Sequence, residues 1–283
     1  MSKHTILTNK EIEEFKVSKR ITSLLDQICK HLNKKKRQLR VLDWGCGRGK
    51  TVGKLLKLGY NAYGIDIDEV TIFNGKPWFD NNGYPFDRIL CVKANKKLPF
   101  EDGYFDVVLT EQVLEHVDNI ENVFLEMDRI SNSNSVTIHT FPAKWRIQEP
   151  HLFMPFVHWL PKNILRKWLI LFFTFLGKEP RPLWADNEGN KVSRVKKYYD
   201  YSIKKTYYRS FPKIKNILEN NNFSVKITPF YPQLEFKKSK IKIINFTSIK
   251  RDKGFMFWKF VVRKLYCFYI TNFNSVSITT TRK

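Results

Sequence analysis

Long apolar runs, paired cysteines and a leader-like N-terminus are all missing from this sequence of 283 residues. The longest apolar stretch, Trp168–Leu176, is far shorter than the roughly 20 residues that cross a bilayer, so we do not expect an integral membrane protein. The first 15 residues lack the apolar segment of a secretory signal peptide. The four cysteines show neither CxxC nor zinc-like spacing, and free thiols fit a reducing compartment. We therefore expect a cytoplasmic protein.

Acidic residues are scarce in the second half of the chain. Residues 1–150 contain 23 Lys and Arg against 20 Asp and Glu, whereas residues 151–283 contain 27 against 7. Almost all of the formal net charge of +23 therefore belongs to the second half. This charge indicates an anionic partner, which could be nucleic acid, phosphate or an acidic membrane surface, unless it serves only to keep the surface soluble.

Strand and helix patterns alternate over the first 142 residues. Short apolar runs predict strands, and apolar residues at helical spacing predict the segments between them. The predicted strands are Val41–Trp44, Ala62–Ile67, Arg88–Val92, Tyr104–Thr110 and Ser135–Thr140, and the predicted helices are 10–33, Thr51–Leu58 and Ile120–Ile130, with a loop at Lys76–Pro85. Such alternation indicates an α/β fold with a mostly parallel sheet that is covered on both faces.

The pattern changes after Phe141 and Pro142. Residues 143–210 are rich in aromatic and basic residues without clear alternation, and we expect them to form an insert over the site. The remaining predicted elements are a helix at Phe211–Asn220, a strand at Phe223–Ile227, a helical insert at 240–272 and a final antiparallel strand at Val276–Thr281. We accordingly divide the chain into a core, residues 1–142, and residues 143–283, which combine a substrate-covering insert with the last strands of the same fold.

Glycine is also scarce, with 12 in the chain, yet three alternate within VLDWGCGRGK, residues 41–50. A glycine-rich turn between a first strand and a helix lets the backbone approach a ligand and leaves its N–H groups available. Asp43 precedes these glycines, and Asp66 ends the second predicted strand. A carboxylate at that place can accept both hydroxyls of a ribose, so the pattern predicts a nucleotide-like ligand.

Three motifs in order resemble those of class I S-adenosylmethionine (SAM)-dependent methyltransferases: VLDWGCGRG, YGIDID and LPFEDGYFDVVLTEQVLEHV. The resemblance implies a Rossmann-like, doubly wound sheet of seven strands and SAM as the cofactor. It also implies which residues would bind SAM: Asp43, Gly45, Cys46, Gly47 and Gly49 at the amino-acid part, Asp66 at the ribose, Ile67 at the adenine, and Glu111 and Gln112 at the sulfonium.

Two positions depart from the patterns of similar methyltransferases. The acidic residue that usually meets the adenine amino group is replaced by Ala94, so either Asn95 takes its role or adenine recognition is weaker. Some similar O-methyltransferases hold a divalent ion with a Glu-x-x-Glu-His cluster, but here Gln112 stands in the first position, before Glu115 and His116. Because a neutral amide is a poorer ligand for a hard cation, we predict no metal.

Histidines are the candidate bases for an acceptor that must lose a proton. His116 follows the presumed SAM edge and His151 opens the insert, so both are catalytic candidates, each with a structural role as the alternative. His139 ends the fifth predicted strand, and we expect it to be structural. The fourth strand is not followed by the Asn/Asp-Pro-Pro-aromatic motif of many amine-directed nucleic-acid enzymes of this fold, which favours an oxygen acceptor.

The resemblance and the charge pattern together predict SAM-dependent O-methylation of a small-molecule, lipid-linked or glycan acceptor. The insert resembles, more loosely, methyltransferases that act on such acceptors, through Glu149–His151 and Pro155–Pro161. The basic aromatic segments 163–176 and 255–270 are predicted helices, which could contact an anionic membrane peripherally or pack as a lid. Two alternatives stay open: an RNA methyltransferase whose basic half tracks phosphates, and a SAM-binding partner protein without catalysis.

Overall fold

The structure is a computed structural model that describes residues 5–180, 189–228, 234–237, 240–243 and 256–282. Its helices are α1 (Asn9–Glu14), α2 (Lys19–His31), α3 (Lys50–Lys57), α4 (Glu69–Asn81), α5 (Ile120–Ile130), α6 (Ile164–Phe175), α7 (Lys191–Lys204), α8 (Phe211–Asn220) and α9 (Met256–Phe273). Its strands are β1 (Arg40–Trp44), β2 (Asn61–Asp66), β3 (Ile89–Cys91), β4 (Phe105–Glu111), β5 (Ser131–Pro142), β6 (Phe223–Ile227), β7 (Leu234–Lys237), β8 (Lys240–Ile243) and β9 (Ser275–Arg282).

Seven strands form one twisted sheet in the order β3-β2-β1-β4-β5-β9-β6. The neighbours from β3 to β5 pair in parallel, whereas β9 runs antiparallel between β5 and β6. This arrangement confirms the predicted mostly parallel, Rossmann-like sheet and its antiparallel last strand. The strand order reverses between β1 and β4, so a crevice opens there at the carboxyl ends of the strands.

Apolar layers cover both faces of the sheet, as a parallel sheet requires. β4 is buried at every position except its last, Glu111. One layer takes residues from α1 to α4, among them Leu24 and Trp78, and the opposite layer takes residues from α5 and α8, among them Phe124 and Leu218. The two layers hold the ends of β1, β2 and β4 in register at one edge, where the candidate residues lie.

The prediction of a single helix over residues 10–33 is wrong, because the chain forms two helices there, α1 and α2. Phe15 has extended backbone angles, and the side chain of Ser18 accepts a hydrogen bond from the backbone N–H of Arg20 at 3.2 Å. A serine in this place satisfies one of the N–H groups that a helix start leaves without a partner. Apolar residues continue at helical spacing on both sides of the break, so the sequence pattern did not reveal it.

The loop predicted at Lys76–Pro85 is wrong over its first part, since α4 continues to Asn81 with Pro77 inside it. A proline in a helix interior costs about 3 kcal/mol. Trp78 and Phe79 are almost completely buried in the core, and the indole N–H of Trp78 donates to Asn9 Oδ1 at 2.8 Å. Burial of two large aromatic side chains offsets the cost of the proline.

The insert after β5 forms a small apolar cluster of its own. Residues of α6 and α7, among them Ile170 and Tyr198, pack with Leu152 and Met154 from the preceding loop. Sequence patterns predicted α6 but not α7.

The helical insert predicted at 240–272 is only partly correct. Residues Lys240–Ile243 are strand β8, paired antiparallel with β7, because their alternation of lysine and isoleucine has the period of a strand. α9 begins at Met256, and residue 255 lies outside the described part of the chain. None of the described helices is both long and apolar enough to cross a bilayer.

Candidate active site

The glycine turn between β1 and α3 has a backbone that other residues adopt only with strain. Gly45, Gly47 and Gly49 have φ angles of 82°, 55° and 82°. The N–H groups of Gly45 and Cys46 both donate to the carbonyl of Ile65, which ties the turn to β2. A Cβ on Gly45 would lie 2.4 Å from a methyl group of Val113, so the chain needs glycine there for close approach as well as for φ.

Asp66 at the end of β2 is held by the same turn. Its Oδ2 accepts the N–H of Gly47 at 2.8 Å, and its Oδ1 accepts the N–H of Asp68 at 2.9 Å. Ile67 follows at the rim and is 66% exposed. The sulfur of Cys46 instead faces the sheet, where a Cβ on Gly64 would lie 2.6 Å from it. Of the residues predicted at this place, Cys46 therefore contributes its backbone rather than its side chain.

Negative charge accumulates at the carboxyl edge beside the turn. Asp43 is buried, and burial together with the charges of Glu111 and Asp66 raises its pKa to about 8, although Thr51 hydrogen-bonds to it. Desolvation also raises the pKa of Glu111, and Arg20 acts in the opposite direction. These carboxylates repel one another because the described residues place too little positive charge beside them. A cationic group would relieve this repulsion.

Arg20 reaches this edge from α2. Its guanidinium donates to Thr228 Oγ1 at 2.9 Å, to the carbonyl of Ile278 at 3.0 Å and to Thr140 Oγ1 at 3.1 Å. Burial lowers its pKa to about 10, opposed by the charge of Glu111. Sequence reasoning missed Arg20, because a helix far from the motifs gave no sign of reaching the ends of β5 and β9.

Gln112 and Asn95 both have positive φ angles, 55° and 58°. The N–H of Gln112 donates to the carbonyl of Thr140 at 2.8 Å, which fixes the strained residue directly after β4. Strain of this kind is concentrated at functional sites. Asn95 lies in an exposed loop after β3, together with Ala94, and its predicted role at the adenine stays a prediction.

An N-terminal segment that includes Thr5 and Glu11, which we call the N-terminal clamp, binds the side chains of the glycine turn. Arg48 within the turn donates to the carbonyl of Thr5 and to Glu11 Oε1, both at 2.7 Å, and Lys50 reaches Glu11 Oε1 at 2.8 Å. Burial alone would raise the pKa of Glu11, but Lys50 and Arg48 outweigh it and lower the value to about 2. α1 is therefore bound to the turn through an ion-pair network.

The structure brings His116 and His151 together, although 34 positions separate them in the sequence. Their ring centroids lie 4.8 Å apart. His116 Nδ1 contacts the carbonyl of Lys205 at 2.6 Å. Glu115, which is buried beside them, has no side-chain hydrogen-bond partner among the described residues, and its burial raises its pKa to about 7. Glu115 can therefore exchange a proton near neutral pH, and it lies beside the two histidines just after β4.

Glu149 orients His151 through a buried network. Its carboxylate accepts the backbone N–H groups of His151 and Leu152, approaches His151 Nδ1 at 3.0 Å and accepts the hydroxyl of Tyr208. Burial would raise the pKa of Glu149, but these donors outweigh it and hold the pKa below its usual range. Fixing Nδ1 in this way directs the other ring nitrogen, as in a carboxylate–histidine pair of an acyl-transfer enzyme.

His139 is fully buried, and both of its nitrogens contact threonine hydroxyls, Thr110 at 2.8 Å and Thr137 at 2.6 Å. Burial lowers its pKa to about 3, so it stays neutral within the sheet. Its geometry agrees with the structural role expected from the sequence.

Sequence spacing did not show that His151 would join Glu115 and His116. Their ligand-type atoms all lie within 4.8 Å of one another, a distance from which small movements could enclose an ion. Because the prediction of no metal rested on Gln112 alone, it stays a prediction. Metal analysis of the purified protein tests it.

A family model described as a methyltransferase domain matches residues 42–138, from β1 to β5. A ubiquinone biosynthesis O-methyltransferase of Maricaulis maris is 29% identical over 123 residues, which cover 42% of this chain and 48% of that protein. A sterol 4-C-methyltransferase of Caenorhabditis elegans is 36% identical over 92 residues, which cover 31% of this chain and 27% of that protein. The chain thus spans about half the length, or less, of these curated relatives.

Among solved structures, PKMT2 of Rickettsia typhi superposes with a TM-score of 0.54 at 13% identity and covers 92% of this chain and 52% of that one. This likeness extends the common fold beyond the matched segment. The family match identifies residues 42–138 as similar to a methyltransferase domain, and the glycine turn, Asp66 and the sheet order are consistent with the class I SAM-dependent methyltransferases that the sequence motifs resemble.

Proposed function

We propose that this protein transfers the methyl group of SAM to an oxygen of a small, lipid-like acceptor. The observation that supports this most strongly is the acidic, glycine-lined edge formed by Asp43, Asp66 and Glu111 at the reversal point of the sheet. In this proposal residues 1–142 hold the cofactor, and residues 143–283 select the acceptor.

The cofactor fits the charges of the edge. Bound SAM would supply an electrophilic methyl group on a positively charged sulfonium. Asp43 and Glu111 offer negative charge to its ammonium and sulfonium groups, and Arg20 offers a partly buried cation to its carboxylate. Asp66 would exchange its contact with the N–H of Gly47 for the ribose hydroxyls.

The acceptor side supplies a base. Glu149 holds His151 so that one ring nitrogen is oriented and the other can take the proton of an acceptor hydroxyl. His116 lies against the same ring and is the second candidate for this proton. In-line transfer needs mainly correct positioning, which a buried, hydrogen-bonded histidine provides.

Aromatic residues of the insert support an apolar acceptor. Trp159 makes edge contacts with Trp145 at 5.9 Å and with Phe156 at 4.8 Å between ring centroids, and all three remain partly exposed. Phe156 also has a φ of 60°, a strained conformation for an aromatic residue. The names of the relatives, which act in ubiquinone biosynthesis and on sterols, are consistent with a lipid-like acceptor.

The test is to incubate the protein with radiolabelled SAM and a fractionated extract of its source. Label in lipid or small-molecule fractions is the expected result, lost with His151→Ala and kept with His31→Ala at the end of α2. If the label enters RNA, the acceptor is RNA, which is the alternative that the basic second half of the chain suggests. SAM binding without label in any fraction would instead support a non-catalytic partner protein.

A further inference from the structure

Helix α6 exposes an unusually apolar face. Ile170 and Phe173 on its inner side pack against α7, and Arg166 donates to the carbonyl of Ser202 at 3.0 Å. Six apolar side chains on the opposite side, which we call the α6 face, are each 55–61% exposed: Ile164, Leu165, Trp168, Phe172, Phe175 and Leu176. Helical geometry places these six within about one third of the circumference, and no polar residue lies among them.

Such a helix differs from the usual surface helix of a globular protein. A surface helix normally presents polar residues to water, and a helix that is apolar on all sides is normally buried. Single exposed apolar residues are common, but contiguous exposed patches mark sites of contact with another apolar surface. The α6 face therefore needs a partner that the described residues do not supply.

Lysines surround the α6 face. Lys167 lies near its beginning, and Lys178 and Lys191 lie at its end, where Lys191 Nζ is 5.1 Å from the ring centroid of Phe175. Among the described residues, Glu179 is an acid near this end of the helix, and it pairs with Arg194 at 2.8 Å. An apolar face with tryptophan and phenylalanine, bordered by lysines, is the pattern of helices that lie in the interface of an anionic membrane.

A chain of contacts links α6 to the aromatic residues of the insert and to α9. α6 packs on the 3-10 helix Val157–Trp159, whose Trp159 contacts Trp145. The backbone N–H of Trp145 in turn donates to the carbonyl of Asn272, near the end of α9. α9 adds exposed apolar side chains: Val262, Leu265, Phe268, Tyr269 and Phe273.

We propose that the α6 face docks on an anionic lipid bilayer and holds the acceptor side of the site against it. The charge of the second half, 27 basic against 7 acidic residues, complements anionic headgroups. A second copy of the chain would bring the same lysines together and is disfavoured by their repulsion. Docking itself does not depend on the proposed methyl transfer, so the two can fail separately.

Vesicle flotation of the full chain tests the proposal, using phosphatidylcholine vesicles with and without about 30% phosphatidylglycerol. We expect binding only to the anionic vesicles, and weaker binding as salt rises from about 0.1 M to about 0.5 M. Leu165→Glu and Trp168→Glu should each weaken binding at least about tenfold, because each moves a charge into the apolar boundary. Fluorescence of the wild type should shift to the blue on binding, and Trp168→Phe should reduce that shift.

A matched control separates the α6 face from general surface effects. Leu125 on α5 is 58% exposed, compared with 56% for Leu165, so Leu125→Glu makes the same change elsewhere and should leave binding within about twofold. Thermal melting of each variant checks that the fold is kept. Equal binding of Leu165→Glu and wild type, no binding to anionic vesicles, or a dimer that Leu165→Glu dissociates would each overturn the proposal.

Discussion

The proposed cofactor edge between Arg40 and Glu111 is built mainly by backbone, whereas the proposed acceptor side between Glu149 and Tyr208 is built by side chains from separate segments. At the edge, a turn with three positive-φ glycines shapes the crevice, and its N–H groups bind Ile65 and Asp66. On the acceptor side, Glu149 joins His151 to Tyr208, 59 positions away from it in the sequence. The first kind of site is encoded locally, and the second exists only after the insert has packed.

Because the two sides are built differently, we expect substitutions in one side to affect cofactor binding and substitutions in the other to affect methyl transfer. Changes at the glycine turn should remove cofactor binding, and changes around His151 should leave it intact while slowing transfer. A result that mixes the two would show that the sides are coupled.

Gly45→Ala should have the largest effect. The new Cβ would lie 2.4 Å from Val113 at a φ of 82°, so we expect loss of SAM affinity by more than about a hundredfold. Gly59→Ala is the matched control, because its φ is 87° but no atom lies within 4 Å of the added carbon. It should cost about 1 kcal/mol of stability and leave binding unchanged, as calorimetry and thermal melting can show. If both variants lose SAM affinity equally, backbone strain rather than close approach to Val113 would explain the effect at Gly45.

His151→Ala should lower turnover by about a hundredfold to ten-thousandfold and leave the Kd for SAM nearly unchanged. Glu149→Gln should cost less, because the amide oxygen can still contact His151 Nδ1 and hold the ring in place. Steady-state kinetics with any acceptor found by labelling provides the measurement. If His151→Ala loses SAM binding instead, the residue belongs to the cofactor edge.

The pH dependence of SAM binding tests the acidic edge. The pKa of Asp43 is raised to about 8, so this group is largely protonated at about pH 6 and ionised above about pH 8. Since the charged form would pair with the ammonium group, affinity should rise with pH over this range, by at most about tenfold per pH unit. Titration calorimetry in buffers of different ionisation enthalpy counts the protons released.

Asp43→Asn supplies the control for this pH dependence and should abolish it. A raised pKa means that the folded protein holds the proton more tightly than the unfolded chain, so ionised Asp43 lowers stability as pH rises above the unfolded value. Asp43→Asn should therefore raise the melting temperature of the protein without SAM at about pH 9 while it weakens SAM binding. An unchanged slope of affinity against pH would assign the dependence to another group.

The smallest effect is expected at the N-terminal clamp. Glu11→Gln weakens its pairs with Arg48 and Lys50 and should lower the free energy of unfolding by about 1–3 kcal/mol. Glu13 pairs with Lys57 at 3.6 Å but is 68% exposed, so Glu13→Gln should cost less than about 0.5 kcal/mol. Denaturant unfolding compares the two.

Acid unfolding adds a second measurement for Glu11. Its lowered pKa gives stability that is present above about pH 4.5 and is lost as pH falls toward about 2. The loss should be smaller in Glu11→Gln than in the wild type. Identical acid transitions would show that this ion-pair network contributes nothing measurable to folding.

Sequence patterns predicted the sheet and its edge because strands, glycine turns and the carboxylates that follow them are local features. They placed Asp43 and Asp66 at one edge, and the resemblance to methyltransferases implied Glu111 and Gln112 beside them; the parallel strands bring all four to that edge. They missed Arg20, Glu149 and Tyr208, because a contact between distant segments leaves no periodic signal. They also misjudged α4, where the burial of Trp78 and Phe79 outweighed a proline.

The position of β9 has a consequence for how the chain is made. β9 separates β5 from β6 in the sheet, yet it follows both in the sequence. During synthesis β5 therefore presents an unpaired edge, with backbone donors and acceptors that another chain could join, until residues 275–282 emerge. The sheet is therefore complete only when this late strand pairs with β5 and β6.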